Sequence, residues 1–156
     1  MPKLYVFAIC EKVVMDKDDR ASLITLFNQI TAQILPTSPE IPPNAVVPKE
    51  WWAFSSWETE PEDDGKEYRQ MIQLLYPNGE PFGPPVGATF SPSSGKTHNQ
   101  VAINAPGFPI GQEGPYTLKM WLEHGGSVIF EPPPIIVRVK YQKLDALPPN
   151  VVPFST

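Results

Sequence analysis

The sequence predicts an all-β protein, an antiparallel sandwich of about eight or nine short strands with proline-rich loops. Three observations carry that expectation. Of the 156 residues, 21 are proline. Proline lacks an amide donor and blocks helices, so it collects in loops, at strand ends and on sheet edges. The apolar runs between the prolines alternate with polar residues at a period of two. Turn signals separate those runs about every eight to twelve residues, the spacing of short antiparallel strands.

Taken in order, Lys3–Met15 reads as an apolar strand bent near Glu11-Lys12, closed by the short polar residues Asp16-Lys17-Asp18-Asp19 of a turn. Ser22–Leu35 follows as one long second strand, in a hairpin with the first. Its β-branched content and the acidic turn before it outweigh a helical spacing. Pro36–Pro48, with Pro36, Pro39, Pro42, Pro43 and Pro48, is an extended crossing loop. Trp51–Trp57 is the third strand and Glu58–Gly65 an acidic loop. Tyr68–Tyr76 fits a helical face and a strand face alike. Pro77-Asn78-Gly79 directly after it is a hairpin-type turn, which favours strand. Val86–Phe90 and Gln100–Ala105 are short strands around the polar loop 91–99.

Gly114–Phe130 is the clearest hairpin. Tyr116, Leu118, Met120 and Leu122 alternate with Thr117, Lys119, Trp121 and Glu123, as in a half-buried strand. Gly125-Gly126 supplies the positive-φ residues of a tight turn. A loop of the two glycines alone sets Leu122 opposite Ile129 in the core and Trp121 opposite Phe130 outside. A loop that adds His124 instead pairs Leu122 with Val128 and Met120 with Phe130. After Pro132-Pro133-Pro134, Ile135, Val137, Val139 and Tyr141 alternate in a last strand. The single sandwich domain thus spans 1–142. Residues 143–156 form a proline-punctuated tail, with Val151, Val152 and Phe154 expected against an outer sheet surface. The expected core is Tyr116, Leu118, Met120, Leu122, Ile135, Val137, Val139, Phe7, Leu23 and Phe27.

A chain of this length buries about 70% of its unfolded surface as one domain. A hydrophobic content of 41% excludes global disorder. The net charge of −5 argues against nucleic acid and against anionic membranes as partners. The lone Cys10 has no partner for an internal disulfide. The apolar run Leu4–Cys10 is too short to span a bilayer and leads into Glu11-Lys12 with no cleavage site, so a cytoplasmic protein is expected.

The motifs give little chemistry. Ser93-Ser94-Gly95-Lys96-Thr97 resembles the end of a phosphate loop, but Phe90 stands where the first glycine belongs and no helix follows. The acidic loop 58–67 reads as a solvated charge run: with Gly65 at the sixth place of a calcium loop, Met71 falls where a bidentate Glu is needed. Trp51 and Trp57 share one strand face, Trp52 and Phe54 the other, and one pair must fill the core. His98 and His124 sit in predicted polar loops with no metal-site spacing. Cys10 fills core space. No catalytic residue, metal or cofactor follows from the sequence.

Three segments together resemble a known group. They are Ala8-Ile9-Cys10-Glu11-Lys12-Val13-Val14-Met15-Asp16, Ser22-Leu23-Ile24-Thr25-Leu26-Phe27, and Gly114-x-Tyr116 with Ile136-Val137-Arg138-Val139. The chain looks like an uncharacterised family of small bacterial immunoglobulin-like β-sandwich proteins of unknown function, over roughly residues 4–141. The family commonly has a glycine in the first hairpin turn, where this chain has Asp19-Arg20. The resemblance implies a fold and supplies no catalytic residues.

The expected function is therefore a non-catalytic interaction or assembly module for another protein, with self-association left open. The proline-rich loops 36–48, 81–85 and 104–115 offer preformed contacts, and Trp121 with Phe130 an exposed aromatic anchor. The alternative is a glycan site on Trp51, Trp57 or Trp121.

Overall fold

The computed structural model describes residues 1–37 and 40–145. Its strands are β1 (Lys3–Met15), β2 (Ala21–Leu26), β3 (Gln29–Ile34), β4 (Val46–Val47), β5 (Trp51–Glu58), β6 (Tyr68–Leu75), β7 (Val86–Phe90), β8 (His98–Ala105), β9 (Phe108–Pro109), β10 (Gly114–His124), β11 (Ser127–Phe130) and β12 (Ile135–Lys143). The only helical piece among the described residues is a 3-10 turn at Pro61–Asp63. The all-β expectation holds, and Tyr68–Leu75 is a strand. One sheet has the order β2-β1-β5-β8 and the other β3-β12-β10-β6-β7, with β11 also on β10. The short strands β4 and β9 pair with each other, where the sequence showed only proline-rich loop. His98 and His124, expected in loops, begin β8 and end β10.

The long second strand is corrected. Ser22–Leu35 is two strands in two sheets: β2 pairs antiparallel with β1, and β3 pairs parallel with β12. The antiparallel expectation therefore gives way to one parallel pair. The Phe27 amide still donates to the Ile9 carbonyl, while the Asn28 carbonyl already accepts from the Arg138 amide. The chain changes sheets between two adjacent residues. In the β1–β2 turn, Asp19 takes the left-handed conformation at φ 57, which aspartate tolerates better than most residues. Asp16 Oδ1 closes the turn by accepting from the Asp18 and Arg20 amides at 2.8 and 2.9 Å.

The central hairpin has neither expected register. His124 pairs with Ser127 and Glu123 with Val128, as a two-glycine loop requires, but a bulge then sets Leu122 opposite Phe130. One extra residue flips every later side chain to the other face. Phe130 thereby points inward with Leu122, and its ring meets Trp57 edge-on at 5.9 Å.

The core lies between the sheets. Tyr116, Leu118, Met120, Leu122, Val137 and Val139 are buried in it, as expected, with Phe7, Phe27 and Ile135 packed around them. Leu23 is only half-buried and stands outside that cluster. Cys10 is buried, but it pairs with Trp52, on the sheet face opposite Ile9 and the core. Burial pushes its thiol up, so it is a poor nucleophile. The tail placement of Val151, Val152 and Phe154 lies outside the described residues.

Candidate binding cleft between the sheet edges

The two sheets are unequal: the first ends at β8, and the second runs on to β7. The 91–97 connection joins those two edges, so they lie together. At one end the gap is shut. Phe90 stacks on Trp57 at 6.1 Å and on Tyr68 at 5.7 Å. Toward Val86 and Ala105 the sheets leave an open cleft of about 460 Å³. Its floor is core: Trp51, Ile72, Leu74, Ile103 and Leu118 all line it, and all are buried. At the mouth, Val86 is 51% exposed and Phe82 37% exposed.

The rim is built from the three proline-rich loops. Val46 and Pro48 come from the first, Phe82 and Pro84 from the second, Pro106 and Gly107 from the third. Side-chain donors fasten the third loop by its carbonyls. Trp51 Nε1 donates to Gly107 O at 2.9 Å, Tyr141 Oη to Ile110 O at 2.6 Å, and Tyr116 Oη to Gln112 O at 2.9 Å. Tyr116 Oη also accepts from the Gln112 amide at 3.1 Å. Burial pushes the Tyr116 hydroxyl up to about 12. Tyr141 is raised as well, by burial and then by Glu113. Both therefore stay protonated as donors at neutral pH.

Close packing completes this rim. A Cβ on Gly111 would overlap the Pro43 carbonyl, and one on Gly107 would stand 2.6 Å from Val46 Cγ1. At Gly111 only glycine lets the two loops meet, and the Ile110 amide then donates to Ala45 O at 2.9 Å. On the opposite rim the Phe82 amide donates to Leu74 O at 2.8 Å, and the Phe82 ring meets Tyr76 edge-on. A cleft held this way is preformed, so an occupant need not order it on binding. Among the described residues its lining carries no charged residue; the polar residues are Gln73 and Asn104, the latter donating to Glu50 Oε1 at 2.8 Å.

The residues singled out in the sequence do not meet in one site. Trp51 and Trp57 do share a face, but it is the inner one, at 4% and 0% exposure. Both pack in the core, Trp51 also flooring the cleft, and neither is exposed as a glycan platform. Trp57 Nε1 donates to Gln70 Oε1 at 2.8 Å inside the sandwich, and Ser55 Oγ donates to the same oxygen. Trp121 is half-buried on the outer face of β10, its Nε1 donating to Glu123 Oε1 at 2.9 Å. Since Phe130 turns inward, the expected Trp121–Phe130 anchor does not form.

The acidic loop is more than a solvated run. Asp63 is fully buried. Its Oδ1 accepts from Tyr68 Oη at 2.7 Å and meets the Met1 ammonium at 3.0 Å, and its Oδ2 accepts from the Glu60 amide at 3.1 Å. Burial pushes this carboxyl up, but the bonds from Tyr68, Glu60 and the ammonium outweigh burial and hold it below the ordinary value of 3.8. Among the described residues no three His, Cys, Asp or Glu side chains converge as a metal set, and no helix is long and apolar enough to cross a membrane.

Residues 5–125 match the model of a family described as "Family of unknown function (DUF6941)". That is most of the chain, which therefore belongs to this family, and every residue lining the cleft falls within the match. No curated protein matches the chain.

Proposed function

We propose that this member of the DUF6941 family is a non-catalytic interaction module, and that another protein docks in the cleft beside β8. The observation that carries this reading is the cleft itself, with an apolar floor, a rim of three fastened proline-rich loops and, among the described residues, no ionisable lining residue. Such a site holds an apolar group. It has no side chain suited to general acid or base work. The glycan alternative keeps only Trp121, whose ring has no aromatic partner among the described residues.

The sandwich is in our reading immunoglobulin-like. The support is Tyr116 near the start of a long central strand, bonding back to the backbone of Gln112, as in the tyrosine corner of those domains. We place the protein in the bacterial cytoplasm. The resemblance supports the bacterial origin, and a single buried cysteine suits a reducing compartment. A net charge of −5 disfavours nucleic acid and anionic membranes as partners.

The test is selection from a random decapeptide display library on the wild type, with counter-selection on Val86→Glu. Val86 is exposed at the mouth, so a carboxylate there spoils an apolar site without touching the core. Peptides that bind the wild type and not the variant are expected. A glycan array giving saturable binding, with no peptide sensitive to Val86→Glu, would overturn the reading.

A further inference from the structure

We infer that the docked segment is an extended peptide that adds one strand to the free edge of β8 and sends an apolar side chain into the cleft. This rests on the interaction reading above and specifies its mode. Among the described residues, β8 pairs only with β5. Its other edge therefore presents a row of unpaired backbone amides and carbonyls, spaced at every second residue. No Lys, Glu or Pro within His98–Ala105 guards that edge.

The cleft lies where such a strand would put its side chains. Val101, Ile103 and Ala105 face inward from β8, opposite Ser55, Ala53 and Trp51. A neighbouring strand repeats that alternation, so its inward residues enter the space between the sheets. The opposing sheet already extends there as β7, whose inner residue Val86 lies half uncovered. Among the described residues the first sheet has no strand beyond β8 that would cover it.

Sheet width also selects the occupant. Two copies joined β8 to β8 about a two-fold axis would each push a β7 under the junction, into the same band of space. A single strand meets no such obstacle. The mouth adds a charge preference. Asn104, turned to the outer face of β8, holds the carboxylate of exposed Glu50 beside that edge, and among the described residues the cleft lining offers no cation. An apolar segment with a Lys or Arg flank is the complementary partner. One strand and one anchor bury less than a standard interface of about 1,600 Å², so affinity in the micromolar range is expected.

The probe is the capped peptide KTVTFTVTK, read by fluorescence anisotropy against the full chain. Two further peptides carry N-methyl groups on alternate amides, one on each of the two sets. Only one set can face β8, so one peptide should lose at least about tenfold in affinity and the other less than about threefold. Val86→Glu should weaken the parent peptide by at least about tenfold with an unchanged melting temperature. Equal effects of the two methylated sets, with Val86→Glu still damaging, would overturn strand addition and leave the cleft as the docking site. No binding of the parent peptide at millimolar concentration would also overturn it, and the library selection then judges the interaction reading separately.

Discussion

Gly111→Ala tests how the cleft rim is built. The added Cβ would fall on the carbonyl carbon and oxygen of Pro43, and 3.0 Å from its Cα. These are backbone atoms, so no side-chain rotation relieves the clash. One loop must retreat by more than about 1 Å, and overpacking of this kind costs about 1–3 kcal/mol. Retreat also stretches the 2.9 Å bond from the Ile110 amide to Ala45 O and the β4–β9 pairing. Losing one such bond adds about 1 kcal/mol. The expected total is about 3 kcal/mol, a drop of roughly 6–12 °C in melting temperature for a domain of this size.

Gly107→Ala is the control. Its nearest obstacle is Val46 Cγ1 at 2.6 Å, on an exposed side chain that can rotate away. That variant should lose about 1 kcal/mol. Urea and thermal melts of both variants beside the wild type give the comparison. Gly111→Ala within about 0.5 kcal/mol of the wild type, or no worse than Gly107→Ala, would refute the close approach of the two loops.

Two further outcomes concern buried polar groups. Tyr116→Phe removes the hydroxyl that serves both the Gln112 carbonyl and its amide. It should cost about 1–2 kcal/mol in urea melts, and an unchanged midpoint would sink the tyrosine-corner argument. Asp63→Asn should destabilise by about 2 kcal/mol at neutral pH, because one of the two acceptor oxygens, the charge assistance to the bonds from Tyr68 and Glu60, and the pairing with the Met1 ammonium are lost. The folded carboxyl is held below 3.8, so its contribution is complete above the unfolded value and fades as pH falls through the folded one. The gap between variant and wild type should therefore narrow on acidification from about pH 5. A gap that is constant down to pH 3 would show that the buried carboxylate is not the stabilising form.

The strands themselves were legible in the sequence, because period-2 alternation is a property of the local chain. Tyr116–Leu122, Trp51–Trp57 and Tyr68–Leu75 came out where they were expected. The proline content ruled out helices for the same local reason. The sheet change in the second segment left no such trace. Ile24 and Leu26 stay in phase with Ile30, Ala32 and Ile34, and only the burial of Leu23 and Phe27 on the other phase marks the break at Asn28.

Partnership was decided elsewhere. Whether β3 joins β12 or β1 depends on hydrogen bonds between residues about a hundred apart, which no local pattern encodes. The bulge at Ile129 turned Phe130 from an outward anchor into core through a single unpaired residue. Alternation showed that Trp51 and Trp57 share a face, but which face is inner depends on where the second sheet packs. The proline-rich loops were recognisable one by one as stiff and exposed. That Pro48, Pro84 and Pro106 surround one cleft is a product of the fold, since β8 ends its sheet one strand before β7 ends the other. A shortfall of one strand is a relation between two sheets, and only the tertiary structure contains it.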